Sequence, residues 1–242
     1  MKYELETIPI WDAYDKDTEC PLCFLSDRAE NTYVDFFLGN SVMVPETRIE
    51  VNKTGFCREH FTRLLESRKN RQGLGLITHT HLSEEIVWLT DSARKIGEQT
   101  DNIQRFKKSV DEFISSLNHK PKQCMICDRI DYTLKRYSYT IIYLWKKEAD
   151  FKNKFEQSKG FCLKHVSEIL SMAREVLSGK MFIQFGEAVF TLLKENMERL
   201  EQELLWYTQK SDYRNSDKPW GTSKDALHRA IQKLTGKTQR FS

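Results

Sequence analysis

All six cysteines of the chain fall into four short motifs, and two histidines keep register with them. Cys20-Pro21-Leu22-Cys23 precedes Gly55-Phe56-Cys57-Arg58-Glu59-His60, with 33 residues between Cys23 and Cys57. Cys124-Met125-Ile126-Cys127 precedes Gly160-Phe161-Cys162-Leu163-Lys164-His165, with 34 residues between Cys127 and Cys162. CxxC…GFCxxH therefore occurs twice and is an internal duplication. Two thiolates three positions apart can reach one ion around a turn, and a Cys and a His three apart share a helix face. Each repeat thus supplies three sulfurs and one imidazole, a full tetrahedral Cys3His set. Two zinc ions per chain are expected, because zinc suits that donor set; an iron–sulfur cluster with one His ligand is the alternative. Phe24 and Asp128, not His, follow the CxxC motifs, which excludes covalent haem attachment.

Ligand pairing has two solutions. Cys20, Cys23, Cys57 and His60 would form one site and Cys124, Cys127, Cys162 and His165 the other if each repeat closes on itself. The CxxC of one repeat could instead meet the CxxH of the other. Loop closure favours the within-repeat solution, since it encloses about a third of the chain length that the exchange encloses. Gly55 and Gly160 are expected to allow a tight entry turn, with Phe56 and Phe161 packed beside the ligands.

The elements that must position these residues read as helices. Phe61, Leu64 and Leu65 follow His60 as Val166, Ile169 and Leu170 follow His165, at helical spacing. Leu25, Ala29, Tyr33, Phe36 and Phe37 do the same behind the first CxxC, and Ile130, Leu134, Tyr137, Ile141, Leu144 and Trp145 behind the second. A long seam runs from Leu82 through Ile103 to Leu117, with a kink expected within Gly97–Asn102. Another runs from Phe182 to Tyr207. No segment alternates as a strand. The fold class is all-α, a helical bundle of two duplicated zinc-binding units, 1–119 and 120–209. A linker and basic C-terminal helix over 210–242 complete it. Ser223 is the expected cap of that helix, Ala226, Leu227, Ala230, Ile231 and Leu234 its apolar face, and Gly236 its stop.

Composition narrows the function classes. There are 242 residues, 39% hydrophobic and 12% aromatic, enough for a packed core without disulfides. No stretch reaches the length of apolar residues needed to span a membrane. The acidic start at Glu4 and Glu6 lacks the basic end of an export signal, so a reducing, cytoplasmic location is expected. Net charge is +3, too small to argue for nucleic acid by itself. Eight of the cationic residues lie beyond Tyr207, however, so segment 223–240 is a candidate nucleic-acid contact or a helix docked on the bundle.

With these units in view, the chain resembles an uncharacterised family of Firmicutes. The resemblance is carried by both Cys/His units, by Lys2–Trp11, Phe37–Glu46, Gly73–Leu82 and Pro219-Trp220-Gly221, over essentially the whole chain. It implies a small soluble protein and no established activity. Members labelled as transporter substrate-binding proteins carry a name that this sequence does not support, since it shows no export signal or lipid-anchor cysteine.

Four roles follow. The first is a zinc-stabilised scaffold or interaction protein with an unknown protein partner, homo-oligomers included. The second is thiol or zinc-thiolate redox sensing, or iron–sulfur electron transfer. The third is a metal-dependent enzyme at Thr78-His79-Thr80-His81, where His79 and His81 could line a polar pocket. Positions i and i+2 of a helix diverge, so the two are not expected to share an ion. The fourth is nucleic-acid binding. A closed four-ligand set leaves no open coordination position, which favours the first, non-enzymatic role.

Overall fold

In the computed structural model, which describes residues 5–119 and 124–236, every regular element is helical and no strand occurs among the described residues. The chain forms α1 (Thr7–Tyr14), α2 (Pro21–Leu38), α3 (Pro45–Thr54), α4 (Arg58–Glu66), α5 (Arg71–Gly97) and α6 (Ile103–His119). Then come α7 (Met125–Lys147), α8 (Ala149–Glu156), α9 (Leu163–Val176), α10 (Gly179–Gln209) and α11 (Ala226–Thr235). Each CxxC opens a long helix and each CxxH a shorter one, as the spacing predicts.

These helices sort into two compact units that do not coincide with the sequence halves 1–119 and 120–209. One comprises residues 1–28 and 132–242, the other residues 29–131. Helix α2 begins in the first unit and ends in the second, while α7 begins in the second and ends in the first. The reason lies in helix length. At 1.5 Å per residue, the 18 residues of α2 carry the chain about 27 Å from the first CxxC. The ten residues of α3 span only about 15 Å, too short to retrace that path. GFCREH is thereby left with the far end of α2 and the start of α7.

The discontinuous unit is built on aromatic rings. Phe151 meets Trp11 at 5.2 Å and Tyr14 at 4.9 Å, and Phe185 meets Trp145 at 5.0 Å and Phe155 at 5.5 Å. Phe151, Phe155 and Phe185 are fully buried. In the continuous unit, Phe56 lies edge-on between Phe37 and Phe61. Arg129, in the first turns of α7, stacks over Phe36 and Phe37 at 4.8 and 5.0 Å and pairs with Glu50. This couples the start of α7 to the end of α2.

Two sequence expectations change. Gly97–Asn102 is not a kink but a chain reversal, after which α6 packs back on α5. Asn102 stops any continuation by capping α6, its Oδ1 accepting from the amides of Gln104 and Arg105 at 2.9 and 3.1 Å. The N-cap position of the final helix is Asp225, whose side chain makes no capping bond, and not Ser223, which sits buried in a 3-10 turn with its hydroxyl on the Trp220 carbonyl. Its buried face is Ala226, Ala230 and Lys233, while Leu227, Ile231 and Leu234 are exposed. Lys233 turns inward because its ammonium finds polar partners there. Gly236 ends the helix at φ 90°, as expected. Residues 237–240 of the basic segment lie outside the described residues.

Candidate metal centres

The eight predicted ligands gather into two clusters, each within one unit. Cys20, Cys23, Cys162 and His165 form the first, and Cys57, His60, Cys124 and Cys127 the second. Within each, the four donor atoms lie within 4.8 Å of one another. The residues are those the spacing selects, but the within-repeat pairing is corrected: each cluster joins the CxxC of one repeat to the CxxH of the other. The closure argument fails because the intervening chain is rigid helix and not a flexible loop.

Each donor is placed by backbone that the motif dictates. Cys57 and Cys162 are the N-cap residues of α4 and α9, with extended φ/ψ, so their sulfurs stand at free amides and the positive end of the helix. His60 and His165 follow three residues on, one turn into each helix. The preceding glycines have φ of 65° and 69°, a region that favours glycine. A Cβ on Gly55 would lie 2.6 Å from His81 Nε2, and one on Gly160 would lie 3.1 Å from Leu192 Cβ. The amide of Met125 donates to the Gly55 carbonyl at 3.1 Å, tying CMIC to GFCREH by backbone alone.

Both histidines present Nδ1 to their sulfurs. His165 Nδ1 lies 3.3, 3.4 and 3.2 Å from the sulfurs of Cys20, Cys23 and Cys162, and Cys23 lies 3.6 Å from Cys162. His60 Nδ1 lies 3.2, 3.2 and 3.4 Å from Cys57, Cys124 and Cys127, with Cys57 and Cys127 sulfurs 4.0 Å apart. A tetrahedral ion with ordinary Zn–S and Zn–N bonds sets S···S near ~3.8 Å and S···N near ~3.6 Å. Both clusters therefore have the spacing of a single tetrahedral ion.

Within each cluster the sulfurs and the imidazole shift one another's protonation. Hydrogen bonds from Cys20 and Cys23 hold the Cys162 thiol far below its ordinary range, and Cys23, bonded to Cys162, is pushed far above it. A hydrogen bond from Cys127 brings Cys124 down to about 3, and Cys127 rises in consequence. Burial opposes the imidazolium of His165, but the Cys162 and Cys20 sulfurs outweigh it and raise His165 to about 10. Cys124 and Cys57 raise His60 in the same way. A cation entering either cluster displaces these protons, so binding releases them.

The clusters differ in what surrounds them. In the second, His60 Nε2 lies 3.2 Å from Glu30, which is itself held by Arg63. A carboxylate on the distal nitrogen orients a ligating histidine and raises its basicity. Glu30 escapes sequence reading because it sits about two turns down α2 from Cys23, a cysteine of the other cluster. The matching place in the second repeat is Leu134, so duplication offers no signal. His165 Nε2 is buried without a hydrogen-bond partner, and Glu168 lies 3.8 Å away. Glu30→Gln is expected to weaken the second cluster's metal affinity by about 10–100-fold, read by chelator competition. Glu168→Gln should leave the first unchanged.

Exposure differs too. All four ligands of the first cluster are buried, whereas Cys57 and Cys127 of the second are part-exposed. Helix α11 closes over the first: a Cβ on Gly236 would lie 3.8 Å from the Cys162 sulfur. Next to Cys20, the buried Glu19 carboxylate accepts from Arg199 at 2.6 and 2.8 Å and from Arg229 at 3.3 Å. Lys233, wholly buried, donates to the Glu19 carbonyl at 2.9 Å and to the Lys159 carbonyl, with the Glu19 carboxylate 3.8 Å away. Burial lowers the Lys233 pKa, and Glu19 opposes that. Two cations of the basic C-terminal helix, Arg229 and Lys233, thus face acids of their own unit.

His79 and His81 fall on α5. His79 is exposed, and half-buried His81 lies against Gly55 with Nδ1 3.3 Å from the Asn52 carbonyl. They do not converge on a common point. His81 instead packs beneath the turn that presents Cys57.

Residues 1–240 match the family described as Family of unknown function (DUF6062). The chain belongs to this family. It is also 22% identical over 200 residues to an uncharacterised 23.9 kDa protein in the xynA 3′ region of Caldicellulosiruptor sp. (strain Rt8B.4), covering 83% of this chain and 86% of the relative. No solved structure matches. No described helix is long and apolar enough to cross a membrane.

Proposed function

We propose that this protein is a non-enzymatic helical scaffold held in shape by two closed zinc centres. One observation carries the reading: three sulfurs and one imidazole nitrogen, from segments far apart in sequence, come within 4.8 Å of one another twice. Four protein ligands saturate a tetrahedral ion, leaving no position for water or substrate, and folding is then coupled to metal. Elemental analysis of protein purified without added metal or an affinity tag tests this. Two zinc ions per colourless chain are expected. Iron with broad visible absorption would replace the scaffold with an electron-transfer or sensing role, and metal-free protein would leave thiol chemistry in front.

The part-exposed Cys57 and Cys127 favour a second reading for their cluster alone, a zinc-thiolate that responds to oxidants. A soft chelator or mild peroxide should then release one ion about tenfold faster than the other. Cys57→Ser should abolish the fast phase. Release of both ions at one rate would rule this reading out.

A further inference from the structure

The α5–α6 hairpin carries an apolar face that the described residues of its own chain leave uncovered. Trp88 stacks on Phe113 at 5.3 Å, and Ser92, Lys95 and Ile96 face Ser109, Glu112 and Ser116, so the helices meet along these sides. At about 100° of turn per residue, Leu82, Ile86, Leu89 and Ala93 form a stripe some ~110° round α5 from that contact. Ile103, Val110, Ile114 and Leu117 form a stripe displaced in the same sense, by about the same angle, on α6. In antiparallel helices equal displacements bring both stripes to one side. The result is a single face, two helices wide and about four turns long. Leu82, Ile86, Leu89, Ile103, Ile114 and Leu117 are 43–66% exposed on it, and no residue of α6 is buried. The face holds on the order of 600 Å² of apolar surface, the upper end of what a soluble monomer leaves open and near the ~800 Å² per partner of a stable interface.

We propose that this face pairs with the same face of a second copy, giving an antiparallel four-helix bundle across a two-fold axis. Two helices with one bare side are half of such a bundle, and an identical copy matches the width and length of the face. Charge selects the partner and the direction. Residues 82–119 hold seven acids and five Lys/Arg, interleaved, unlike the cation-rich polar face that lies on anionic lipid or follows a nucleic-acid backbone. Glu84 and Glu85 stand toward the base of the hairpin, and Arg94 and Lys95 toward its tip. Copies pointing in opposite directions set these unlike charges at one height, while copies pointing the same way set like charges together. This pairing holds independently of which ion the cysteines bind.

Light scattering on the eluting full chain, from micromolar to hundred-micromolar concentration, tests the proposal. The wild type is expected at the mass of two chains. Ile86→Glu or Ile114→Glu, which force a carboxylate into the seam, should raise the dimer dissociation constant about a hundredfold or more. Val87→Glu, one residue on and outside the face, should leave it unchanged. Zero-length crosslinking of mixed light- and heavy-isotope wild type should join lysines and acids of residues 82–119 in one copy to those in the other, a readout that needs no variant to fold. A monomeric wild type, a dimer that survives Ile86→Glu, or the absence of mixed-isotope links would overturn the proposal. Sedimentation of a monomeric wild type with anionic vesicles would assign the face to lipid instead.

Discussion

Cys20→Ser combined with Cys162→Ser is expected to leave one tightly held metal ion per chain, and Cys20→Ser combined with Cys57→Ser none. The first pair strikes one cluster twice, although its members belong to different repeats. The second pair strikes both clusters, although its members belong to the same repeat. Pairing within each repeat would reverse the two results. The effect is large because binding of a structural zinc ion is worth roughly 10–16 kcal/mol in small zinc domains at neutral pH, and that energy is folding energy. Metal per chain, measured after exchange into a weak chelator, separates the outcomes. Thermal unfolding should follow it, with the doubly damaged cluster releasing its own unit first.

Glu19→Ala is expected to cost about 3–5 kcal/mol, the range for removing one partner of a buried charge cluster. The carboxylate is almost wholly buried and accepts from Arg199 Nη2 with both oxygens. Without it, buried Lys233 keeps only the carbonyls of Glu19 and Lys159, while Arg199 and Arg229 retain Glu203. The loss is read from urea unfolding. Its pH dependence has a definite sign. Burial lowers the Lys233 pKa and the Glu19 charge opposes this, so the variant lowers it further. Above that folded value the unfolded chain binds the extra proton, so stability rises with pH until the unfolded lysine titrates near ~10.4. The gap between variant and wild type should therefore narrow between neutral and mildly alkaline pH. A gap that widens, or a cost under ~1 kcal/mol, would remove Glu19 from the support of the first cluster.

The candidate ligands are legible because a metal site would fix residue type and local spacing at once, and the duplication repeats both. Helix starts are legible for the same reason: Cys57 and Cys162 are at once candidate ligands and N-cap residues. The partnering of the clusters is not. It depends on the length of α2 relative to α3, a property of the whole segment, and the estimate from loop closure treated that segment as flexible chain. The inward face of α11 was misread because hydrophobicity places Leu227, Ile231 and Leu234 inside. The docked side is small, Ala226 and Ala230, and its third member is a lysine whose charge is answered by Glu19, a residue more than two hundred positions away. Glu30 was invisible on similar grounds, since the carboxylate that supports His60 belongs to a helix that starts at the other cluster.

The crossing of ligands between repeats also sets an order of assembly on the ribosome. Residues 29–131 form one unbroken unit, and its four ligands have all been made once Cys127 is added. Cys20 and Cys23, the first thiols to emerge, must wait for His165. Through that interval, several seconds at ordinary elongation rates, Cys20 and Cys23 lack the other half of their cluster, while the four donors of the second are already complete.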